Sequence, residues 1–125
     1  MLRSILIVGI GGFLGSVSRF LVSRYFQLYT LSNFPWGTFT VNILGSFIIG
    51  LVFGLSERLN LVTPEWRLFL AVGFCGGFTT FSSLANDAFM LLQGRELFYF
   101  SIYTAGSFLI GLLAVFAGRH IIQIL

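Results

Sequence analysis

Charge is what this sequence lacks most. Only 9% of its 125 residues are charged and 57% are hydrophobic, whereas a soluble domain normally carries about 25% charged residues. A chain this poor in charge cannot build a water-facing surface, so its apolar side chains must face lipid rather than fill one small core. Lysine is absent altogether. The seven basic residues are all arginines, spaced singly and mostly at the ends of apolar runs. The net charge of +3 and pI near 9.6 therefore read as interfacial anchors, and nucleic acid is excluded as a partner. Cysteine occurs once, at Cys75, which rules out an internal disulfide. No zinc-ligand set surrounds it, and it reads as a small buried residue. The one histidine, His120, lies near the C-terminus, and the four acidic residues belong to no nucleophile–base pair, metal cluster or nucleotide loop. Catalysis has no residues to rest on, so an enzyme is not expected.

Phenylalanine and glycine are plentiful instead, 16 and 15 of them: bulky rings beside small close-contact residues, as in packed membrane helices. Charges punctuate four apolar runs, at residues 4–24, 36–56, 66–92 and 97–118. Each has the roughly 20 residues needed to cross about 30 Å of hydrocarbon. Met1-Leu2-Arg3 opens like a signal peptide, but no small-x-small cleavage site leads into a polar mature domain, so the run is expected to stay as a helix. Gln27 to Pro35 reads as a linker, with Thr30, Ser32 and Asn33 as turn formers, and Trp36 suits an interfacial belt. Thr63-Pro64-Glu65 is a helix start, with Thr as N-cap, Pro in the first turn's first position and Glu behind it. The expected fold is an all-α membrane protein of four transmembrane helices, a single integral domain over residues 1–125 without repeats.

Alternation of the spans puts Arg3, Arg58, Arg67 and Arg119 on one side and Arg19, Arg24 and Arg95 on the other. Four against three barely selects an orientation. The near-tie fits insertion both ways up, and hence an antiparallel pair of identical chains. It fits equally a chain whose orientation rests on one arginine.

The third span carries Gly73-Phe74-Cys75-Gly76-Gly77-Phe78-Thr79-Thr80-Phe81-Ser82-Ser83. Adjacent glycines weaken a helix, and Thr and Ser offer its backbone alternative hydrogen bonds. The glycines alone read as close packing, since Gly73 with Gly77, Gly11 with Gly15 and Gly50 with Gly54 are GxxxG pairs. With the hydroxyl run added, a break at mid-membrane is expected. Freed backbone groups survive in a bilayer only where they line a cavity, meet a partner or coordinate an ion. The second span adds a polar stripe at Thr38, Asn42 and Ser46, and the fourth adds Tyr103, Ser107 and Gly111, spaced four apart on one helix face. Either stripe could be interhelical glue. Together with the break they predict a hydrated passage without strong charges. No Asp, Glu or Lys occupies the middle of a span, although Asp87 lies close to the polar run.

At Gly76-Gly77-Phe78-Thr79-Thr80-Phe81-Ser82 the sequence resembles the third-helix signature of the Fluc (CrcB) family of fluoride channels. Gly15 through Arg19-Phe20, Trp36-Gly37-Thr38-Phe39-Thr40-Val41-Asn42, and Tyr103 with Ser107 match as well, so the resemblance covers essentially the whole chain. It implies an antiparallel dual-topology homodimer in a bacterial inner membrane, with two pores that export cytoplasmic fluoride by passive permeation. It also implies a structural Na⁺ held at the dimer centre by the backbone carbonyls of Gly76 and Thr79. Asn42, Phe81, Ser82, Ser83, Tyr103 and Ser107 would line the fluoride route beside Thr38 and Leu84, and Arg19 would occupy a vestibule. One position departs from the family's pattern of two pore phenylalanines three residues apart. The second is Leu84, which lacks the positive ring edge that can face an anion.

Two rivals remain. A small dual-topology drug exporter would need a membrane-embedded carboxylate in its first span, and Ile5 to Ser18 offers none. A non-transporting membrane scaffold would need the small-residue packing motifs, which are present, but would leave the aligned polar stripes unexplained.

Overall fold

The computed structural model describes all 125 residues, Met1 to Leu125. It contains four long apolar helices, Leu2–Tyr29, Trp36–Arg58, Pro64–Gln93 and Leu97–Ile124, each long and apolar enough to cross a membrane. The third is bent and internally interrupted. The helices outrun the apolar stretches: the first continues past Arg24 to Tyr29, and the fourth past Gly118 to Ile124. Apolarity marks where lipid lies, whereas a helix stops only where its capping or backbone demands it. The first helix, at about 1.5 Å per residue, is roughly 42 Å long. It exceeds the hydrocarbon thickness and carries its charged ends into the headgroups or tilts.

Helix ends follow local chemistry. Thr63 caps the third helix, its hydroxyl accepting the Trp66 N–H at 3.2 Å, with Pro64 in the first turn where a missing N–H costs nothing. The short linker before the second helix tucks Phe34 inward, against Trp36, Phe39, Tyr99 and Tyr103 in mostly edge-to-face pairs. Asn33 ties this linker to the one between the third and fourth helices by donating to Glu96 Oε1 at 2.7 Å.

The helices pack as two close pairs, the first against the early part of the third and the second against the fourth. Glycine makes both possible. A Cβ on Gly11 would fall 2.6 Å from the Phe69 carbonyl oxygen, and one on Gly77 would fall 2.6 Å from that of Gly12. In the other pair a Cβ on Gly118 would meet the Phe47 carbonyl at 2.5 Å. The small-residue motifs of the first three spans are thus consumed inside one chain, where they let backbones approach.

Only 19 of the 125 residues are buried, while rings such as Phe13, Phe20, Phe81 and Phe108 stand well exposed. Such a surface would aggregate in water. It belongs against lipid or another protein.

Candidate functional site: the interrupted third helix

The third helix fails in stages. It starts as α-helix at Pro64–Arg67, widens to π-helical winding over Leu68–Cys75, and makes one last turn at Gly76–Phe78. Thr79 and Thr80 are then extended, with φ/ψ of −87/158° and −154/121°, before a new α-helix runs Phe81–Gln93. π-Bulges and breaks of this kind need substitute hydrogen-bond partners in a bilayer, and the neighbouring helices provide them.

In an uninterrupted helix the Thr80 N–H would donate to Gly76 and the Ser83 N–H to Thr79. Here Thr80 donates to Asn42 Oδ1 at 2.8 Å and Ser83 to the Thr80 hydroxyl at 3.2 Å. The Gly76 and Thr79 carbonyls thereby lose their helical donors. Asn42 also donates from Nδ2 to the Thr80 carbonyl at 3.2 Å. Its amide thus brackets the Thr80 backbone as a neighbouring strand would. On the other flank, Arg19 Nε donates to the Gly77 carbonyl at 3.0 Å. Thr79 folds its hydroxyl back onto the Cys75 carbonyl at 2.8 Å, and Thr80 serves as N-cap of the second arm.

Two clefts flank the break. One, of about 500 Å³, is lined by Arg19, Thr38, Ser82, Ser83, Asn86 and Asp87 among others. The second, of about 270 Å³, lies between Asn42, Ser46, Thr79, Thr80, Phe81 and Leu84, with Val115 closing it. The residues singled out in the sequence are distributed as follows. Arg19, Thr38, Ser82 and Ser83 share the larger cleft, and Asn42, Phe81, Leu84 and Thr79 share the smaller. Phe81 is 80% exposed. Gly76 is exposed, and a Cβ there would meet nothing within 4 Å. Tyr103 is fully buried and donates its hydroxyl proton to Asp87 Oδ2 at 3.1 Å. Ser107, one turn on, has a buried hydroxyl without a partner in the chain. Tyr103 and Ser107 therefore line neither cleft themselves, although Tyr103 reaches the larger one through Asp87.

Sequence reasoning left three participants unassigned. Thr80 carries the caps and the Asn42 bracket, and a Ser/Thr before an apolar run was the available signal. Asp87 lines the larger cleft and accepts the Tyr103 hydroxyl hydrogen bond, though nothing in the sequence set it against that tyrosine. Ser16 lies on the same cleft wall as Arg19, one turn earlier on the first helix.

Four membrane-length helices, one interrupted midway beside two clefts, define a multi-pass membrane protein. The family model described as "CrcB-like protein, Camphor Resistance (CrcB)" matches residues 6–119, and the chain belongs to that family. It is 51% identical over 115 residues to a protein of Chlorobium luteolum named "Fluoride-specific ion channel FluC", covering 92% of this chain and 88% of the relative. A protein of the same name from Bacteroides fragilis is 50% identical over 123 residues, 96% of each chain. One from Leptospira interrogans is 40% identical over 121 residues, 97% of this chain and 95% of the relative. The chain is accordingly a multi-pass protein of a bacterial inner membrane and not an enzyme.

Proposed function

We propose that this protein is a fluoride-selective channel that lets cytoplasmic fluoride leave passively. Fluoride enters cells as the neutral acid and is trapped on dissociation, so a passive anion path suffices to relieve it. The observation that carries the reading is the interrupted third helix. Beside it Thr38, Ser82 and Ser83 line the larger cleft, and Asn42, Thr79 and Thr80 line the smaller. The name shared by relatives that cover nearly the whole chain supports the choice of ion.

Fluoride is small and tightly hydrated, so a narrow path must replace its water with donors that do not trap it. Ser82 and Ser83 offer hydroxyls, Asn42 keeps one N–H beyond the one given to Thr80, and Phe81 offers a ring edge. The orphaned Ser107 hydroxyl suits the same role, because a buried hydroxyl without a partner is costly. Tyr103 can turn its hydroxyl to the ion only by breaking its hydrogen bond to Asp87. Leu84 shapes the wall and excludes water.

The working unit in this reading is an antiparallel homodimer of oppositely inserted chains. The exposed Gly76, Phe81 and Phe108 face outward from the single chain, and the arginine near-tie permits both orientations. A structural Na⁺ fits the residues present: the Gly76 and Thr79 carbonyls have lost their helical donors, and carbonyl oxygens are ligands for a hard cation. Those two residues of each chain would hold it, and the ion would supply the charge that keeps opposed carbonyls together. Liposomes loaded with fluoride or chloride test the reading. The protein should release fluoride rapidly and leave chloride inside, whereas equal leakage of both would rule out a selective channel and no release of either would rule out a channel.

A further inference from the structure

The first helix holds a guanidinium at the one place where the third helix has lost its own donors. Arg19 donates its Nε–H to the Gly77 carbonyl at 3.0 Å. In a continuous helix that carbonyl would take the Phe81 N–H, but Thr79 and Thr80 are extended and carry Phe81 away. The reach is set by packing. Gly11, Gly15 and Gly77 bring the two backbones into contact, a Cβ on Gly77 falling 2.6 Å from the Gly12 carbonyl and 3.1 Å from the Ser16 N. Arg19 follows Ser16 by three residues, one turn further along the same face, and so arches over the Gly77 peptide. Its charge meets no carboxylate. The chain's one ion pair joins Arg119 and Glu57 at the surface.

We propose that Arg19 is a positioning residue of the break: its Nε–H fixes the Gly77 peptide and so sets how the adjoining Gly76 and Thr79 carbonyls are presented. This rests on the reading of those carbonyls as cation ligands given above. Gly76 is the residue before the clamped carbonyl and Thr79 the second after it, so rotation of the Gly77 peptide redirects both. The remaining N–H groups of the guanidinium are left for the larger cleft, which Arg19 lines with Ser82, Ser83 and Asp87. One side chain therefore links the anion-facing wall to the carbonyl set. Asn42 holds the other flank by bracketing Thr80, and between them the two residues span the interruption. Lysine cannot replace the arrangement in full. Its three donors share one compact, rotatable nitrogen, whereas the guanidinium fork reaches the carbonyl and the cleft together with fixed geometry.

The test compares the full-length protein with Arg19→Gln and Arg19→Lys by two readouts. The first is amide hydrogen exchange in detergent across residues 76–83, with residues 36–58 as internal reference. Loss of a hydrogen bond to a charged donor should speed exchange there on the order of tenfold in Arg19→Gln, with Arg19→Lys between it and the parent and the reference unchanged. The second is the Na⁺ concentration giving half-maximal fluoride release from liposomes, which should rise by a similar factor in Arg19→Gln and be overcome by excess Na⁺. Unchanged exchange over 76–83 in both variants would overturn the proposal. So would a fall in flux that Na⁺ cannot restore and that leaves the Na⁺ midpoint in place, the result expected if Arg19 only attracts anions. If Arg19→Gln does not insert, Arg19→Lys carries the same two readouts. Should the parent release no fluoride, the channel reading fails, while the exchange comparison still decides what Arg19 does.

Discussion

Asn42 spends its side-chain oxygen and one N–H on the Thr80 backbone. Replacing it with alanine would strand both groups at membrane depth, at about 1–3 kcal/mol for each buried group left unpaired. We expect Asn42→Ala to lower the thermal unfolding midpoint in detergent and to cut fluoride release at least tenfold. Asn42→Asp keeps the acceptor and should lose less stability. Equal stability of Asn42→Ala and the parent would show that the Thr80 bracket is idle. Leu84 is a different case. It packs beside the cluster of Phe34, Leu91 and Tyr103 and borders the smaller cleft with Phe81. Leu84→Phe adds a ring edge beside open space, so a severalfold rise in fluoride release from liposomes is expected, with chloride still retained. A drop in flux would mean that the added ring blocks the cleft instead of lining it.

Adjacent glycines in the third helix have opposite surroundings. Gly77 lies against the first helix, where a methyl would strike the Gly12 carbonyl, whereas Gly76 faces open space. Gly77→Ala should therefore damage the fold of the single chain by forcing two backbones apart. Gly76→Ala should leave the chain folded and act only where a second copy approaches. Circular dichroism and unfolding in detergent, compared with the apparent size of each variant, separate the two effects. Equal damage to both folds would contradict the packing described. The four spans, the Thr63 cap and the GxxxG contacts were legible in the sequence because apolar runs, cap residues and paired glycines act locally. The third-helix interruption was legible because Gly-Gly and four hydroxyls share one segment. The partners of that interruption were less so. That Asn42 would bracket Thr80, or that Tyr103 would donate a hydrogen bond to Asp87, depends on how four helices are rotated against one another, and polar stripes leave that rotation free. Helix lengths also escaped, because polar residues such as Arg24 and Gln27 end an apolar run without ending a helix.

At the scale of the whole molecule, the chain buries little of itself, and its arginines divide four against three between the two sides when Arg19, held at the break, is counted. Dual insertion follows if neither face wins. Reporter fusions at the C-terminus should then give signal on both sides of the membrane in the same cells, and adding two lysines after Ile124 should bias the signal to one side. Signal from a single side in the unmodified chain would exclude the antiparallel pair. The identity of the crossing ion is the property that decides what this molecule does. Its most direct test is the zero-current potential across a planar bilayer containing the purified protein, with fluoride and chloride gradients set in opposite directions. A fluoride-selective channel gives a potential that follows the fluoride gradient and ignores chloride; a potential that follows chloride, or no current at all, excludes one.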